Sequence, residues 1–358
     1  MVKSWAFEFI PAREGFTQSY NIDDDEIRKE KGMSPEDGAS YFEFYLNLWS
    51  RAEELGFYGV FQSEHHFGRG YSPSPNILLA AMSQRTKNLR IGAMGMVVPF
   101  NNPWRIVEEI GMLDNLTGGR LEIGTSAGIP HELESVGMSM LEGRERYEEA
   151  LQIIDAGIRA PVISHKGKYW NFEDLRLVPR PVQQPHPPMW TTVISIDSAK
   201  KAARRGSKIT TAFAQTEQIK DLFDAYNEEA AKHGNPTGPE QVGLRRQISI
   251  DVDEAASVSR SVKLQSDLEK MVKKTDKRFI APGQKALDAP TGSHGFTIGE
   301  DEYISGTPAQ VTEKVLEQCE RSGAGHFLAV FAGHDNLEQL TRSWELYGRA
   351  VNPALAAA

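Results

Sequence analysis

Two adjacent histidines behind a glutamate, in the run Glu64-His65-His66, are the residues of this chain best suited to chemistry. They follow an apolar run, 56–60, that is typical of a buried β-strand. Side chains along a strand point alternately to its two faces, so His65 and His66 should diverge. Because an unperturbed imidazole titrates near ~6.5, it can exchange protons at neutral pH. The pattern predicts one catalytic histidine at the carboxyl end of a strand, with the other packed sideways or bound to a carboxylate.

A second group of polar residues has the spacing of a phosphate site. Ser195 and Ser198 stand between a predicted strand and a predicted helix, where hydroxyls and the first backbone N–H groups would face one anion. Arg144 precedes another predicted helix, and a guanidinium can bind phosphate through two parallel hydrogen bonds. Two simpler interpretations stay open. Ser195 or Ser198 only caps the helix, or Arg144 only pairs with Glu148 one turn on.

Strand and helix patterns alternate along the chain and would position these residues. Each parallel connection needs a crossover, so eight strands separated by helices predict a (β/α)₈ TIM barrel with insertions, in a single domain over 1–358. Such barrels keep their chemistry at the carboxyl ends of the strands. The expected strands cover 7–10, 56–64, 89–94, 120–124, 187–193, 208–211, 244–252 and 326–331, with an inserted hairpin of 168–172 and 175–178.

Two stretches break the alternation. Residues 271–305 are rich in Lys, Gly and Pro and lack a sustained apolar period, which indicates a disordered linker or a long loop near the C-terminal end. Because an open barrel mouth needs something to keep water from a reactive site, we expect this segment to be a mobile lid. Residues 354–358 have the character of a frayed end.

Composition limits the classes of partner. The chain has 358 residues, of which 40% are hydrophobic and 25% charged, and its net charge is −9. Nucleic acids and anionic membranes require clustered Lys and Arg, so we expect neither as a partner and favour small molecules. Cys319 is the only cysteine, which excludes an internal disulfide. No run approaches the ~20 apolar residues of a membrane span, and we expect a cytoplasmic protein.

Several motifs, in this order, resemble one enzyme family. They are Glu64-His65-His66-Phe67 and the runs 86–92, 99–105 and 113–124, followed by 179–188 and 304–308. The set resembles the α subunit of bacterial luciferase and the wider flavin-dependent luciferase-like monooxygenases. The likeness extends over almost the whole chain, from about residue 7 to residue 331.

The resemblance implies a barrel that binds reduced FMN at its carboxyl-terminal mouth, with the flavin supplied by a separate reductase. Reduced FMN and O2 would give a flavin hydroperoxide that oxygenates a small organic substrate. His65 matches the family's catalytic histidine, which handles protons around this flavin. Arg144, Ser195 and Ser198 match positions that hold the FMN phosphate.

The resemblance also marks two further places in the flavin site. Met94 and Gly95 match the family's non-prolyl cis peptide beneath the flavin ring, where glycine would let the ring approach the backbone, although a simple bulge stays open. Ser126 occupies the position of luciferase's reactive cysteine, and we place it with the cofactor-binding residues. Ala127 stands where luciferase has a phosphate-binding arginine, so light emission is not implied and Arg144 gains importance.

Alternative functions remain open. A barrel of the same kind could transfer hydride from a reduced deazaflavin without using O2, or could bind flavin without catalysis. A metal-dependent hydrolase is the weakest alternative, because the adjacent His65 and His66 diverge and no His-x-His or His-Glu-x-x-His spacing occurs. We expect a homodimer or higher homo-oligomer. Aromatic residues mildly favour a hydrophobic substrate, namely Phe7, Phe9, Phe61, Phe100, Trp190 and Phe213.

Overall fold

Eight parallel strands close into a barrel in the computed structural model of the chain, which describes residues 1–11, 33–67, 70–275 and 298–358. Eleven strands lie in these ranges, eight of them in the barrel: β1 (Lys3–Glu8), β2 (Gly59–Gln62), β3 (Arg90–Val97), β4 (Leu121–Ser126), β5 (Val162–Lys166), β6 (Asn171–Arg176), β7 (Met189–Thr192), β8 (Lys208–Thr211), β9 (Val242–Ile250), β10 (Tyr303–Gly306) and β11 (His326–Phe331). The α-helices are α1 (Pro35–Ser50), α2 (Pro75–Ser83), α3 (Pro103–Thr117), α4 (Pro130–Ser135), α5 (Met140–Arg159), α6 (Ile196–Arg205), α7 (Thr216–Lys232), α8 (Glu254–Thr275), α9 (Pro308–Ser322) and α10 (Leu337–Ala357).

The barrel order confirms the predicted (β/α)₈ fold. Its strands follow one another as β1, β2, β3, β4, β7, β8, β9 and β11, and β11 returns to pair with β1. Strand β9 is longer than its neighbours because its amino half pairs with β8 and its carboxyl half with the additional strand β10. Strands β3 and β9 are third and seventh in the ring, so they face each other across it.

The sequence determines where helix α3 begins, which face it buries and where it ends. Pro103 occupies its first turn, where the missing N–H costs nothing. Ile106, Ile110 and Leu113, which recur at helical spacing in the sequence, form one buried face. Gly118 ends the helix with a φ of 64°, a left-handed conformation that glycine adopts without strain, and β4 begins three residues later as expected.

Alternation along the strands separates an inner core from an outer one. In β1, Trp5 and Phe7 join the cluster inside the barrel, whereas Ala6 packs outward against the helices. Filling the barrel with side chains leaves no pore, so ligands must enter at an end. No helix in the described ranges is both long enough and apolar enough to cross a membrane.

Several predicted boundaries were wrong. Strand β2 ends at Gln62, so His65 and His66 belong to the loop after the strand. The inserted hairpin pairs β5 with β6, earlier in the chain than predicted, because Leu177 and Pro161 close it by a backbone hydrogen bond. The supposed frayed end is helical, and Leu355 is fully buried there.

The predicted lid segment, 271–305, overlaps regular structure at both ends. Helix α8 continues to Thr275, and β10 begins at Tyr303. Residues 276–297 lie outside the described residues, so the lid remains a prediction.

Candidate active site

His65 lies beside a buried carboxylate at the barrel mouth. Its Nδ1 is 3.2 Å from Oε1 of Glu132, which projects from the short helix α4. The same oxygen accepts the backbone N–H of His66 at 3.0 Å. The His65 ring stacks on Phe9, with ring centres 5.5 Å apart. Two contacts therefore fix the orientation of this imidazole, which is itself largely buried, with 13% of its side chain exposed.

Glu132 is positioned to stay ionised although it is fully buried. Burial raises its pKa, but the hydrogen bond and charge of His65, the backbone N–H of His66 and the charge of His131 together bring the pKa below its usual value. An ionised Glu132 accepts a hydrogen bond from Nδ1–H of His65, which leaves proton exchange to Nε2. The other oxygen, Oε2, has no hydrogen-bond partner among the described residues.

His66 has the structural contact that the sequence suggested. Its Nε2 lies 2.8 Å from Oε1 of Glu64, and its ring meets Phe100 edge to face. Burial lowers the His66 pKa, but the hydrogen bond and charge of Glu64 outweigh it, so the pKa is raised above its usual value. Asp114, which the sequence also offered as a carboxylate partner for His66, accepts hydrogen bonds from Gln183 instead.

The peptide bond between Met94 and Gly95 is cis, as the resemblance implied. It lies within β3 and not at its end, and the register between β3 and β4 shifts at this point, so the bulge interpretation also describes the backbone. A Cβ added to Gly95 would lie 2.8 Å from the carbonyl carbon of Thr125. The glycine is therefore required by the close approach of β4, whatever binds above it.

Ser195 and Ser198 cap helix α6 at the mouth. The Ser195 hydroxyl accepts the N–H of Ser198, and the Ser198 hydroxyl accepts the N–H of Ser195, both within 3.2 Å. Both serines therefore cap the helix, and phosphate binding at this cap stays a prediction. Ser126 ends β4 and accepts the N–H of Gly128 at 3.1 Å, so its hydroxyl shapes the turn that leaves the strand.

Arg144 was predicted to lie ahead of the helix. It lies instead in the second turn of α5. Its exposed side chain is near the amino end of α5. One turn on, Glu148 pairs with Arg205 of α6 at 3.3 Å, which is a contact between the two helices. Arg144 is about 6 Å before Glu148 and Ser198 about 10 Å before Arg205, at ~1.5 Å per residue. Arg144 and the α6 amino end therefore both lie on the mouth side of this ion pair.

No group of three or more His, Cys, Asp or Glu side chains that could hold a metal occurs in the part of the chain that the structure describes. Cys319 is buried in α9, and burial raises the pKa of its thiol to about 12.

The model of the luciferase-like monooxygenase family matches residues 28–326. The chain belongs to this family. An uncharacterized protein, y4wF, of Sinorhizobium fredii is 32% identical over 81% of this chain and 84% of its own length. The oxygenase component of a flavin-dependent trigonelline monooxygenase from Acinetobacter baylyi is 26% identical over 65% of this chain and 66% of its own length. Family membership makes the protein a flavin-dependent monooxygenase in class.

Solved structures of luciferase-like proteins share the fold. The monooxygenase RslO1 of Streptomyces bottropensis superposes with a TM-score of 0.77, at 24% identity over 98% of this chain and 99% of its own. The oxygenating constituent of 3,6-diketocamphane monooxygenase from Pseudomonas putida, in complex with FMN, gives 0.73 at 20% identity over 98% of each chain. A coenzyme F420-dependent secondary alcohol dehydrogenase gives 0.71 at 17% identity over 99% of each chain.

The sequence interpretation missed Glu132. It lies 67 residues from His65, and no spacing rule joins the two, because the loop after β2 and the helix after β4 meet only in the folded barrel. The available signal was weak: a glutamate directly after histidine, in Pro130-His131-Glu132, next to a strand end.

Proposed function

We propose that this luciferase-like protein is the oxygenase component of a two-component monooxygenase that uses reduced FMN and O2 to oxygenate a small organic substrate. The observation that carries the proposal is the His65–Glu132 pair in the mouth of the barrel. When bound, reduced FMN would supply the two electrons with which one oxygen atom enters the substrate and the other leaves as water. A separate reductase would supply the reduced FMN.

His65 would move the protons of this reaction. Glu132 holds Nδ1 and so presents Nε2, and an imidazole nitrogen held in this way can act as a general acid or base. Stacking on Phe9 keeps the ring from turning away. Burial of the pair excludes bulk water from the proton that is transferred.

The residues at the mouth also fit an FMN phosphate. The amino end of α6 presents backbone N–H groups and the two hydroxyls of its cap, and an anion is favoured there by the helix dipole. Arg144 would add a guanidinium from helix α5. Met94, Gly95 and Ser126, on the adjacent strands β3 and β4, would lie beneath the flavin ring.

Hydride transfer from a reduced deazaflavin is the second candidate, because a coenzyme F420-dependent dehydrogenase shares this fold. The cofactor and the role of O2 distinguish the two. Anaerobic titration should show that reduced FMN binds the protein, and mixing with O2 should then give an absorbance change slower than that of free reduced FMN. An absorbance change identical to that of free reduced FMN, together with tight binding of the deazaflavin, would decide for the second candidate.

Homo-oligomerisation and a cytoplasmic location remain predictions. The reductase partnership would be seen as stimulation of product formation when a flavin reductase and its nicotinamide substrate replace chemically reduced FMN.

A further inference from the structure

Arg245 is a buried arginine that points into the barrel. Along β9, Leu244 and Ile248 pack outward against the helices, and Arg246 bonds Gln318 of α9. Alternation therefore turns Arg245 inward, and its guanidinium carbon lies 5.5 Å from the centre of the Phe7 ring in the inner cluster. Only 6% of the residue is exposed.

The guanidinium reaches the carboxyl-terminal mouth and not the floor. Its carbon lies 4.5 Å from the ring of Phe213, which follows the carboxyl end of β8 by two residues. Phe213 has a φ of 73°, a left-handed conformation that is costly for a residue with a Cβ. The carboxylate of Glu302 holds it there by accepting its N–H at 2.6 Å. The Phe213 ring therefore contacts this arginine from a backbone conformation that costs free energy.

The charge of Arg245 is only partly balanced. Glu302 is shared between two arginines: its Oε2 accepts from Arg246 at 3.2 Å, whereas its Oε1 is 3.6 Å from Arg245, too far for a hydrogen bond. Across the described ranges, Arg245 has no hydrogen-bond acceptor. Buried polar groups are normally hydrogen-bonded, and a guanidinium carries five donors in a planar fork. An acceptor from outside the chain would complete it.

The position of Arg245 suits the substrate better than the cofactor. Strand β9 lies across the barrel from β3, which carries Met94 and Gly95, and the proposed phosphate residues are on α5 and α6. A row of rings connects Arg245 to the proton-transferring histidine: Phe7 lies 5.0 Å from Phe9, which stacks on His65. A substrate bound to Arg245 would lie along these rings, with its other end facing β3.

We propose that Arg245 is the substrate-recognition residue of this oxygenase, and that it binds a carboxylate carried by a planar or apolar body. The two N–H groups of the fork would donate to the two carboxylate oxygens, and Phe7 and Phe213 would flank the body. The assignment of the bound acid as the substrate rests on the proposed function. The binding of the acid does not.

The test is equilibrium binding of acids and their amides to the full-length protein, without O2. The probes are benzoate, phenylacetate, nicotinate and hexanoate, each paired with its uncharged carboxamide of nearly equal shape. At least one acid should bind about 10-fold or more tightly than its amide. Arg245→Gln should remove that preference while changing amide binding by less than about 2-fold.

Controls separate charge, fold and cofactor. Arg159→Gln makes the same substitution on the exposed side of α5, where Arg159 pairs with Asp155, and should leave the preference intact. Arg245→Lys keeps the charge without the fork, so it should retain about a third or less of the preference, and it decides the matter if Arg245→Gln does not fold. FMN binding should be the same in all variants.

Three results would overturn the proposal: no acid in the panel is preferred over its amide, the preference survives in Arg245→Gln, or FMN binding falls together with acid binding. The last would make Arg245 a cofactor residue. Acid binding that holds in a protein without O2-dependent product formation would keep the pocket and reject the proposed function.

Discussion

The floor and the mouth of the barrel bury the same kinds of side chain but use them differently. At the floor, where the strands begin, Glu122 accepts hydrogen bonds from Arg90 and Trp190, so both of its oxygens are used. At the mouth, where the strands end, Glu132 uses one oxygen for His65 and His66 and has no partner for the other within the described ranges. A carboxylate with both oxygens hydrogen-bonded stabilises the fold, whereas one with an oxygen lacking a partner can still accept a hydrogen bond from a ligand.

The histidines of the two ends show the same difference. His326, at the floor, accepts the indole N–H of Trp5 on Nδ1 at 2.9 Å, and its Nε2 lies 3.2 Å from the carbonyl oxygen of Glu240. Burial and the charges of Lys208 and Lys3 lower the pKa of His326 well below its usual value, so it stays neutral. His65 is instead paired with the buried carboxylate of Glu132. The floor histidine is therefore held in one state by its surroundings, whereas the mouth histidine has an ionised carboxylate behind it.

The largest expected effect is the loss of stability when a carboxylate is removed from the floor. Glu122→Ala would leave Nε of Arg90 and the buried Trp190 N–H without their acceptor, and breaking a buried ion pair costs about 3–5 kcal/mol. Chemical denaturation should show a loss of that size, while FMN affinity per folded molecule should not change. Weakened FMN binding with unchanged stability would show that the floor and the mouth are not separate in function.

At the mouth, His65→Ala should act on chemistry and not on stability. Product formation should fall about 100-fold or more, as for loss of a general acid or base, while reduced FMN binds nearly normally. Glu132→Gln, which keeps the shape but cannot hold an imidazolium, should shift the pH profile of product formation to lower pH and reduce the rate less. Unchanged turnover in His65→Ala would remove this residue from the mechanism.

Loss of the proposed phosphate contact should have a smaller effect again. Arg144→Ala should weaken FMN binding by about 1.5–3 kcal/mol, the value of a charge-assisted hydrogen bond, and leave riboflavin binding almost unchanged, because riboflavin lacks the phosphate. Arg159→Ala, on the same helix, is the matched control. Equal losses for FMN and riboflavin would show that Arg144 supports the fold and not the phosphate.

The sequence predicted the barrel and its helices better than the contacts at the mouth. Alternating periodicity and the proline and glycine boundaries of α3 report local structure, so the barrel and most helices followed from them. Phe213 and Glu302, in contrast, meet only because β10 adds to the edge of β9, a contact that no local pattern encodes.

The sequence did contain signals for the residues at the mouth, but these signals did not show where the side chains point. Arg245 and Arg246 interrupt an apolar strand, which is a mark of buried charge. Which of the two points inward depends on the register of β9 with β8 and β11, fixed by pairing across the whole barrel. For the same reason the resemblance could mark His65, whereas the partner that orients it came only from the fold.

The smallest expected effect concerns His66, which is beside the catalytic histidine but pairs with Glu64 as the floor residues pair with one another. The folded-state pKa of His66 is raised by this pairing, so its stabilising contribution is complete below the usual value of 6.5 and is lost as the pH rises through the folded-state pKa. His66→Gln should therefore reduce the free energy of unfolding more at pH 6 than at pH 8.5. The difference should stay below about 1 kcal/mol, because the pair is partly exposed and screened. Denaturation curves of both proteins at the two pH values measure it. A loss equal at both would show that packing against Phe100, and not charge, is what His66 contributes.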